Sequence, residues 1–428
     1  MMGAQSISVG EDKVARSDAG SAVSSAAAQG IRIALLTGGD DRSYALGLAS
    51  SLVAQRVVVD FIGSDKVDGP ELHDTPWVNF LNLRGDQREN VSLTKKVVRL
   101  LAYYLRLLKY AAVAKPRVFH ILWNNKFEWF DRTLLLLYYR LQRRRIVFTA
   151  HNVNAARRDG CDSTFNRLTL WIQYRLVSHI FVHTQKMSDE LLREFGVPDS
   201  KVSVIPFGIN DTTPLSNLTA GEARKSLGLE PTHKVALFFG QIAPYKGLEY
   251  LVTALPELTS RDPDFRLIIA GKVKKGSEHY WDRINRDLSQ ASVRDRVVLR
   301  IEHVPDEQVE VFFKAADVLV IPYVHIFQSG VPFLAYSFGL PVVATDVGSL
   351  REDIIEGQTG YVCPPCNPVA LAGAISQYFE SEMCRKRESR RMAVRKVAKE
   401  RHSWTEVARI SRRVYSEVLG CCRPDDLA

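Results

Sequence analysis

The sequence has few cysteines and no long apolar segment, and both shortages exclude classes of protein. Its six cysteines follow no disulfide framework, and no secretory apolar segment precedes them, so we expect a protein of the reducing cytoplasm. No stretch reaches the roughly 18 uninterrupted apolar residues that a membrane-spanning helix needs. The sequence also lacks zinc-ligand spacing, a helix-turn-helix pattern and an aromatic RNA-binding motif, which argues against nucleic acid as a partner.

The composition is typical of a globular enzyme-sized protein. With 428 residues, of which 46% are hydrophobic and 25% charged, the chain is long enough for two domains. The formal net charge of +9 favours an anionic partner, such as a lipid surface, a phosphorylated substrate or nucleic acid. Residues 1–29 are rich in Ser, Ala and Gly, and we predict a disordered tail there because they contain no sustained apolar run.

Short β-branched runs alternate with stretches of helical periodicity from residue 31 onward, and this alternation predicts βαβ units around parallel sheets. A polar stretch near residues 211–222 separates two such series. We therefore predict an α/β protein with two Rossmann-like, doubly wound domains. The predicted boundaries are residues 30–212, residues 213–403 and a final segment at residues 404–428.

Glycine turns at the carboxyl ends of strands are the natural ligand sites in such sheets. Gly38 and Gly39 follow the first strand, where a tight turn with positive φ explains them as well as phosphate binding does. Gly240 follows the first strand of the second series, and Lys246 lies just before a helix, from which an ammonium group can reach a diphosphate. Lys272 either approaches the nucleotide or faces water.

Four consecutive segments in the second half carry a specific resemblance. They read "VIPFGIN", "FFGQIAPYKGLEYLV", "AADVLVIPY" and "GLPVVATDVGSLREDIIEGQTGYVCPP". In this order they resemble the signatures of the glycosyltransferase group 1 family, retaining nucleotide-sugar transferases of GT-B fold. The resemblance covers residues 31 to about 420. It implies two domains facing a cleft, the N-terminal one binding the acceptor and the C-terminal one the donor, with the final helix crossing back to the N-terminal domain.

Two departures from the family concern the donor site. Most members carry two glutamates before the glycine that corresponds to Gly339, but this chain has Ile326 and Leu334 at those places. It resembles instead a subgroup with a Gln-Ser-Gly turn that opens a helix. The resemblance implies donor binding by Gln328, Ser329, Gly330 and Val331. Bulk at Gly330 should block that binding, because backbone must approach the phosphate and any positive φ there would need glycine.

The second departure is Gln241, where the family usually has arginine, which leaves Lys246 as the cation of this loop. A lysine and preorganised N–H groups can neutralise a departing diphosphate. Since the sequence has no Asp-X-Asp run of the kind that clamps a metal diphosphate, we predict no metal and no cofactor. The co-substrate would be a UDP-, GDP- or ADP-sugar.

On the acceptor side, His151 follows a strand directly, and the resemblance implies a histidine near the reacting centre there. His151 and Lys246 are therefore the catalytic candidates. Arginines nearby can meet an anionic acceptor or lie in a solvated loop. The acceptor-side candidates are Asn152, Asn154, Arg157 and Arg158. His183, at the end of the next strand, is predicted to have a packing role, with Thr184 or Ser188 capping the following helix.

Residues 95–115 and 129–145 are rich in leucine, aromatic and basic residues, which is typical of helices on an anionic membrane and also of helices on a Rossmann sheet. We predict a retaining glycosyltransferase. It would be cytoplasmic or peripheral on the inner face of the plasma membrane. Its acceptor would be a glycan or lipid-linked molecule in cell-surface polysaccharide or glycolipid synthesis. The alternatives are a nucleotide-sugar epimerase or a catalytically silent nucleotide-sugar-binding relative, because the glutamates are missing.

Overall fold

The computed structural model describes residues 30–38, 41–87, 92–158, 160–209, 216–290, 293–326 and 328–420. The predicted tail at residues 1–29, Gly39, the side chain of Arg158 and the predicted domain boundary at residues 212–213 lie outside the described residues. Everything stated below concerns the described part of the chain.

The first sheet has seven parallel strands in the order β3-β2-β1-β4-β5-β6-β7. Its central strands are buried along their length because helices cover both faces of the sheet. The sequence analysis missed β3, an edge strand that is only half-buried and lacks a β-branched run. The strands are β1 (Arg32–Leu36), β2 (Val58–Gly63), β3 (Val78–Asn82), β4 (Val118–Ile121), β5 (Arg145–Thr149), β6 (His179–Val182) and β7 (Val202–Val204).

The second sheet has six parallel strands in the order β10-β9-β8-β11-β12-β13. Both sheets thus have the doubly wound strand order, and the predicted fold class of two Rossmann-like domains is confirmed. The strands are β8 (Lys234–Phe239), β9 (Phe265–Ala270), β10 (Val297–Arg300), β11 (Val318–Ile321), β12 (Val342–Thr345) and β13 (Gly360–Cys363).

Helices connect the strands on both faces of each sheet. Those of the first half are α1 (Arg42–Ala54), α2 (Pro70–Asp74), α3 (Leu93–Val113), α4 (Glu128–Phe130), α5 (Leu136–Leu141), α6 (Ala155–Arg158), α7 (Thr164–Leu176) and α8 (Gln185–Phe195). A π-helical turn, Asp131–Leu135, joins α4 to α5. Thr184 accepts a hydrogen bond from the Met187 amide and so caps α8, one of the two caps predicted for it.

The helices of the second half differ widely in length. A 3₁₀ turn precedes β7 at Asp199–Lys201, and two more occur in the second half, at Pro244–Lys246 and Arg294–Arg296. The helices are α9 (Ala220–Ser226), α10 (Leu248–Arg261), α11 (Glu278–Gln290), α12 (Asp306–Ala315), α13 (Val331–Ser337), α14 (Leu350–Asp353), α15 (Pro368–Glu380), α16 (Glu382–Arg385), α17 (Arg387–Arg401) and α18 (Trp404–Leu419).

The last helix, α18, belongs to the core of the first sheet. It packs against α1 and β4, and its buried Val407, Val414 and Tyr415 join the hydrophobic cluster beneath β1 and β2. The Tyr415 hydroxyl lies 2.6 Å from Nδ1 of His120 on β4. The first and the last of the described residues therefore belong to the same half of the molecule.

Two segments pass between the halves, one after β7 and one between α17 and α18, and they lie side by side. The Ile209 amide donates to the His402 carbonyl at 3.1 Å. The Phe207 ring stacks on Phe333 of α13, with centroids 4.8 Å apart. A Cβ added to Gly208 would lie 2.3 Å from the Trp404 ring, so the first crossing presses closely against the start of α18.

Candidate active site

The C-terminal half of the site forms where β8 and β11 lie next to each other, because the connections leaving them diverge and open a crevice at their carboxyl ends. Lys246 ends the 3₁₀ turn after β8, and Tyr323 follows β11. The Lys246 ammonium donates to the Tyr323 hydroxyl at 2.5 Å and lies 3.8 Å from the centre of its ring. The lysine is only 7% exposed, so Tyr323 fixes a buried cation in place.

The Gln-Ser-Gly turn joins this pair through the same tyrosine. The Ser329 Oγ lies 3.5 Å from the Tyr323 hydroxyl and accepts from the Val331 amide at 3.4 Å. Burial raises the pKa of Tyr323 above its ordinary value, so the phenol keeps its proton and can donate to Ser329 or to a ligand. The structure thus brings together Lys246 and Ser329, two residues predicted separately, by way of a tyrosine that the sequence analysis did not single out.

Two glycines allow these loops to approach each other. Gly247 has φ 62°, and a Cβ there would lie 2.0 Å from the Pro322 carbonyl oxygen, so no other residue fits. Gly240 has φ 113° and faces the Val331 side chain at 3.8 Å, which places the first turn of this half beside α13. Gln241, next to it, is exposed.

Gly330 does not have the conformation that would require glycine. Its φ is −74°, in the right-handed helical region, and an added Cβ would meet Phe207 at 3.8 Å, an ordinary van der Waals distance. The prediction that bulk at Gly330 blocks donor binding therefore rests on the approach of the phosphate alone, and it stays a prediction. Gln328 is more informative, because its Oε1 atom is buried and has no hydrogen-bond partner among the described residues.

The places of the two missing glutamates are filled by hydrophobic packing. Ile326 is 6% exposed and belongs to the core cluster between the second sheet and α13. Leu334 is half-buried and packs against the same cluster. A carboxylate at position 326 would be taken out of water without a prepared partner. The loss of both acids is thus accompanied by a local core.

Lys272 stays at the edge of this half. Its side chain is exposed, and its carbonyl accepts from the Ile242 amide at 3.0 Å. The neighbouring Gly271 is needed for close approach, since a Cβ there would lie 1.9 Å from the Gly240 carbonyl oxygen. The loop therefore supports the Gly240 turn by its backbone, and of the two alternatives for the Lys272 side chain, facing water describes this structure.

The N-terminal half is built around a pair of histidines at the ends of β5 and β6. His151 Nδ1 lies 3.1 Å from His183 Nε2, and His183 Nδ1 lies 3.3 Å from the Ile205 carbonyl. A carbonyl only accepts, so His183 carries its proton on Nδ1, and His151 must then donate from Nδ1 to His183 Nε2. His151 Nε2 is left as a bare acceptor, and it is buried without a partner among the described residues.

Both imidazoles are neutral. Burial lowers the pKa of His183 to about 4 and lowers the pKa of His151 well below its ordinary value, with the neighbouring His183 adding to the effect. Trp123 stacks flat on His151 at 4.5 Å, and the Tyr44 ring meets its edge at 4.8 Å. These aromatic rings exclude water from the imidazole and fix its plane.

Gly38 supports this aromatic cluster by its shape. Its φ is 52°, and a Cβ would lie 1.9 Å from the Trp123 carbonyl oxygen, so glycine lets the turn after β1 touch the loop after β4. The Gly38 carbonyl accepts from the Arg84 side chain. Of the two explanations offered by the sequence, the tight turn with positive φ therefore accounts for Gly38 here.

The remaining acceptor-side candidates differ in their surroundings. The Asn154 Oδ1 accepts from the Arg157 amide at 3.2 Å and from Asn166 at 3.0 Å, so it caps α6 from a buried position. The Arg157 guanidinium pairs with Glu194 at 2.6 Å. These two side chains thus have structural partners. Asn152 is half-buried, and its Oδ1 has no partner among the described residues.

Phe207 connects the two halves. Its ring lies 6.4 Å from His151 and 5.1 Å from His183 in the N-terminal half, and it faces Gly330 and stacks on Phe333 in the C-terminal half. The predicted residues of both halves therefore approach one ring. The role of His183 had a signal in the sequence, since it ends the strand that pairs with the strand of His151. Phe207 and Tyr323 lie within the quoted segments "VIPFGIN" and "AADVLVIPY", but neither was singled out, because both act through tertiary contacts.

Comparison with known proteins identifies the class. The family described as Glycosyl transferases group 1 matches residues 220–400, and Glycosyltransferase Family 4 matches residues 42–213. A D-inositol 3-phosphate glycosyltransferase of Corynebacterium glutamicum is 25% identical over 80% of this chain and 84% of its own length. Both family models describe glycosyltransferases, and the predicted enzyme class, a glycosyltransferase, is confirmed.

Solved structures agree on the fold. The sucrose-phosphate synthase of Thermosynechococcus elongatus superposes with a TM-score of 0.71 at 20% identity, covering 92% of this chain and all of the other. Anabaena Alr3699/HepE in complex with UDP and glucose gives a TM-score of 0.69 at 17% identity, covering 90% of this chain and all of that one. Both likenesses concern the architecture alone.

Two kinds of feature are absent from the described residues. No group of three or more His, Cys, Asp or Glu side chains in that part of the chain is arranged to hold a metal ion. Likewise, none of the helices described above combines the length and the apolar character needed to cross a bilayer.

Proposed function

We propose that this protein is a retaining glycosyltransferase that moves a sugar from a nucleoside-diphosphate sugar to a glycan or lipid-linked acceptor. The observation that carries the proposal is that the Phe207 ring lies beside the His151–His183 pair and also faces Gly330, which adjoins Ser329 of the Lys246–Tyr323–Ser329 group. A cation and hydroxyl donors suit a departing diphosphate, whereas a neutral acceptor atom suits a sugar hydroxyl.

In the reaction, the bond from the anomeric carbon to the diphosphate breaks as a bond to the acceptor oxygen forms, and the nucleoside diphosphate takes up the acceptor's proton. Lys246 would neutralise the charge that develops on the leaving phosphate, with Ser329 and the protonated Tyr323 as further donors. His151 Nε2 would accept a hydrogen bond from a donor-sugar hydroxyl and so orient the ring over the acceptor.

We also propose that transfer needs no metal ion, because Lys246 supplies a fixed positive charge at the place where a metal would otherwise act. The expected result is that the transfer rate stays the same in EDTA. Loss of activity on chelation, with recovery on adding Mn²⁺ or Mg²⁺, would contradict this part of the proposal.

The donor can be found by thermal unfolding with a panel of UDP-, GDP- and ADP-sugars. A ligand at about 100 times its dissociation constant stabilises the folded state by about 2.7 kcal/mol, which is a measurable shift in melting temperature. The Lys246→Ala variant is the matched control and should lose most of the shift. If no nucleotide sugar shifts the wild-type protein, the proposal fails.

Mass spectrometry of the products then separates transfer from the alternatives. With the donor found, a glycosylated acceptor supports the transferase. Conversion of the donor into an epimer would identify a nucleotide-sugar epimerase, and binding without any product would identify a catalytically silent relative.

We propose that the acceptor belongs to cell-surface polysaccharide or glycolipid synthesis, and that the protein acts in the cytoplasm at the inner face of the plasma membrane.

A further inference from the structure

Three neighbouring helical segments cover one face of the N-terminal sheet. α3, the segment of residues 128–141 and α7 bury their inner side chains in a single hydrophobic cluster. The Tyr138 hydroxyl donates to the Leu108 carbonyl at 3.1 Å, which fixes the middle segment to α3, and α5 packs against α7. We call the exposed side of these three segments the three-helix surface.

Large apolar side chains form a stripe along each segment of this surface. On α3 they recur every four residues at Val97, Leu101 and Leu105, and on α7 they recur every three at Phe165, Leu168 and Trp171. Leu105 is 67% exposed and Phe165 is 62% exposed. The middle segment contributes Trp129, Leu134, Leu137 and Leu141. Apolar residues scattered singly are common on a protein surface, but three parallel stripes are not.

The charges on the same surface have one sign. The helices α3, α5 and α7 contain no Asp or Glu, and all their charged residues are Lys or Arg. Of the two acids of the middle segment, Asp131 is buried, and Glu128 is 58% exposed and pairs with Arg132. Two arginines of the surface also pair with acids outside the three segments, Arg99 with Asp86 and Arg167 with Asp162. On α7 the Arg175 guanidinium lies 4.9 Å from the Trp171 ring, an aromatic and cationic pair at the outer end of the stripe.

The surface begins beside the N-terminal half of the candidate site, because helices that follow parallel strands start at their carboxyl ends. Trp129 is six residues beyond Trp123, which stacks on His151, and six residues span at most about 20 Å. Phe165 adjoins Asn166, whose side-chain amide donates to Asn154. Asn154 is three residues from His151. A molecule held at this surface is therefore within reach of His151.

We propose that the three-helix surface docks on an anionic lipid bilayer, with its apolar stripes among the headgroups and its lysines and arginines against the lipid phosphates. A bilayer fits better than a second copy of the chain, since a symmetric dimer would press this basic face against itself. Docking deepens the membrane location given under the proposed function, but it does not depend on the transfer reaction. Only its consequence, that a lipid-linked acceptor reaches His151 from the bilayer, rests on the proposed function.

Vesicle flotation of the full chain tests the docking. We expect the wild-type protein to float with vesicles of phosphatidylcholine containing about one third phosphatidylglycerol, and about tenfold less with phosphatidylcholine alone. High salt should weaken the binding. The double variant Leu105→Glu with Trp171→Glu should lower the bound fraction by about tenfold or more. The matched control is Val369→Glu on α15, which changes a 69% exposed valine in the other half and should float like the wild type.

Three results would overturn the proposal about the bilayer. The wild type could fail to float with anionic vesicles, or the double variant could float as well as the wild type. The third result is that the wild type sediments as a dimer without vesicles and Leu105→Glu dissociates it, which would assign the surface to a second copy. Circular dichroism of each variant checks that the fold is retained.

The nucleotide-sugar thermal shift separates this proposal from the proposed function. The double variant should keep the donor-induced shift of the wild type, because Leu105 and Trp171 lie outside the donor loops. Flotation without any donor-induced shift in the wild type would leave the docking intact and refute the transferase. A donor-induced shift without flotation would leave the transferase proposal intact and refute the docking.

Discussion

The two halves of the candidate site have opposite electrostatic characters. In the N-terminal half, the imidazoles of His151 and His183 are neutral and enclosed by aromatic rings. In the C-terminal half, a buried lysine is held by a protonated tyrosine and a serine hydroxyl. The difference teaches that one sheet architecture, used twice, can present an uncharged surface for sugar hydroxyls and a cationic one for phosphate.

The largest effect is expected from removing the cation. Lys246→Ala should lower the transfer rate on the order of 10² or more, because a charge-assisted contact to the leaving diphosphate is lost. Steady-state kinetics and donor calorimetry measure the loss. Lys272→Ala is the comparison variant, and it should change the rate by less than about threefold, since that side chain is exposed. Equal effects from the two lysines would remove the special status of Lys246.

The buried neutral histidines should make the free energy of unfolding depend on pH. Burial lowers the pKa of His183 and of His402 to about 4, and that of His120 to about 3. Between these values and about 6.5 these histidines bind more protons in the unfolded chain than in the folded one, so their contribution to stability rises with pH. Asp131, Glu190 and Asp353 act in the opposite direction, because burial raises their pKa to about 6, 7 and 7. Each histidine can contribute on the order of 3 kcal/mol.

Denaturant unfolding at a series of pH values between about 4 and 7 measures this slope. His183→Gln removes one titrating group while keeping a side chain that can hydrogen-bond, so the slope of the unfolding free energy against pH should decrease by up to one proton. If His183→Gln has the same slope as the wild type, His183 is not buried in the neutral form.

A smaller effect is expected from the hydroxyl that links Lys246 to Ser329. Tyr323→Phe keeps the ring beneath the ammonium but removes the hydrogen bond, which is worth about 1 kcal/mol, so kcat/KM should decrease about five- to tenfold. Tyr336→Phe is the matched control, because its buried hydroxyl bonds the Asp353 carbonyl in the same half. If both variants lower kcat/KM equally, the effect is one of packing rather than of the lysine.

The smallest effect on donor affinity is expected at Gly330, in the Gln-Ser-Gly turn that the sequence analysis singled out. Gly330→Ala should change donor affinity by less than about threefold, because φ is −74° and the added Cβ meets Phe207 at an ordinary distance. Gly247→Ala, by contrast, should impair the fold, since its Cβ would collide with the Pro322 carbonyl. Calorimetry with the identified donor and thermal unfolding compare the two. A large affinity loss at Gly330 would mean that phosphate touches this residue directly.

Much of the architecture could be predicted because buried parallel strands are continuous apolar runs. The runs around β1, β2 and β8, for example, are β-branched and bounded by turns. β3 was missed because an edge strand is covered on fewer sides and carries Asn79 and Asn82 among its apolar residues. The family signatures added the enzyme class, since they follow one another in a specific order.

The site was predicted less completely, for a physical reason. Lys246 and His151 follow strands, so sequence position alone places them at the ligand edge. Tyr323 and Phe207 matter because of what they touch across long sequence separations, and no local pattern records such contacts. The conformation of Gly330 could not be predicted, because a glycine next to a helix can take a helical conformation as readily as a left-handed one.

The two crossings meet at Ile209 and His402, where a backbone hydrogen bond joins them. Because both covalent connections lie at this one place, we expect any rotation of one half against the other to pivot there. Such a rotation would change most the separation of the loops that lie farthest from the crossings.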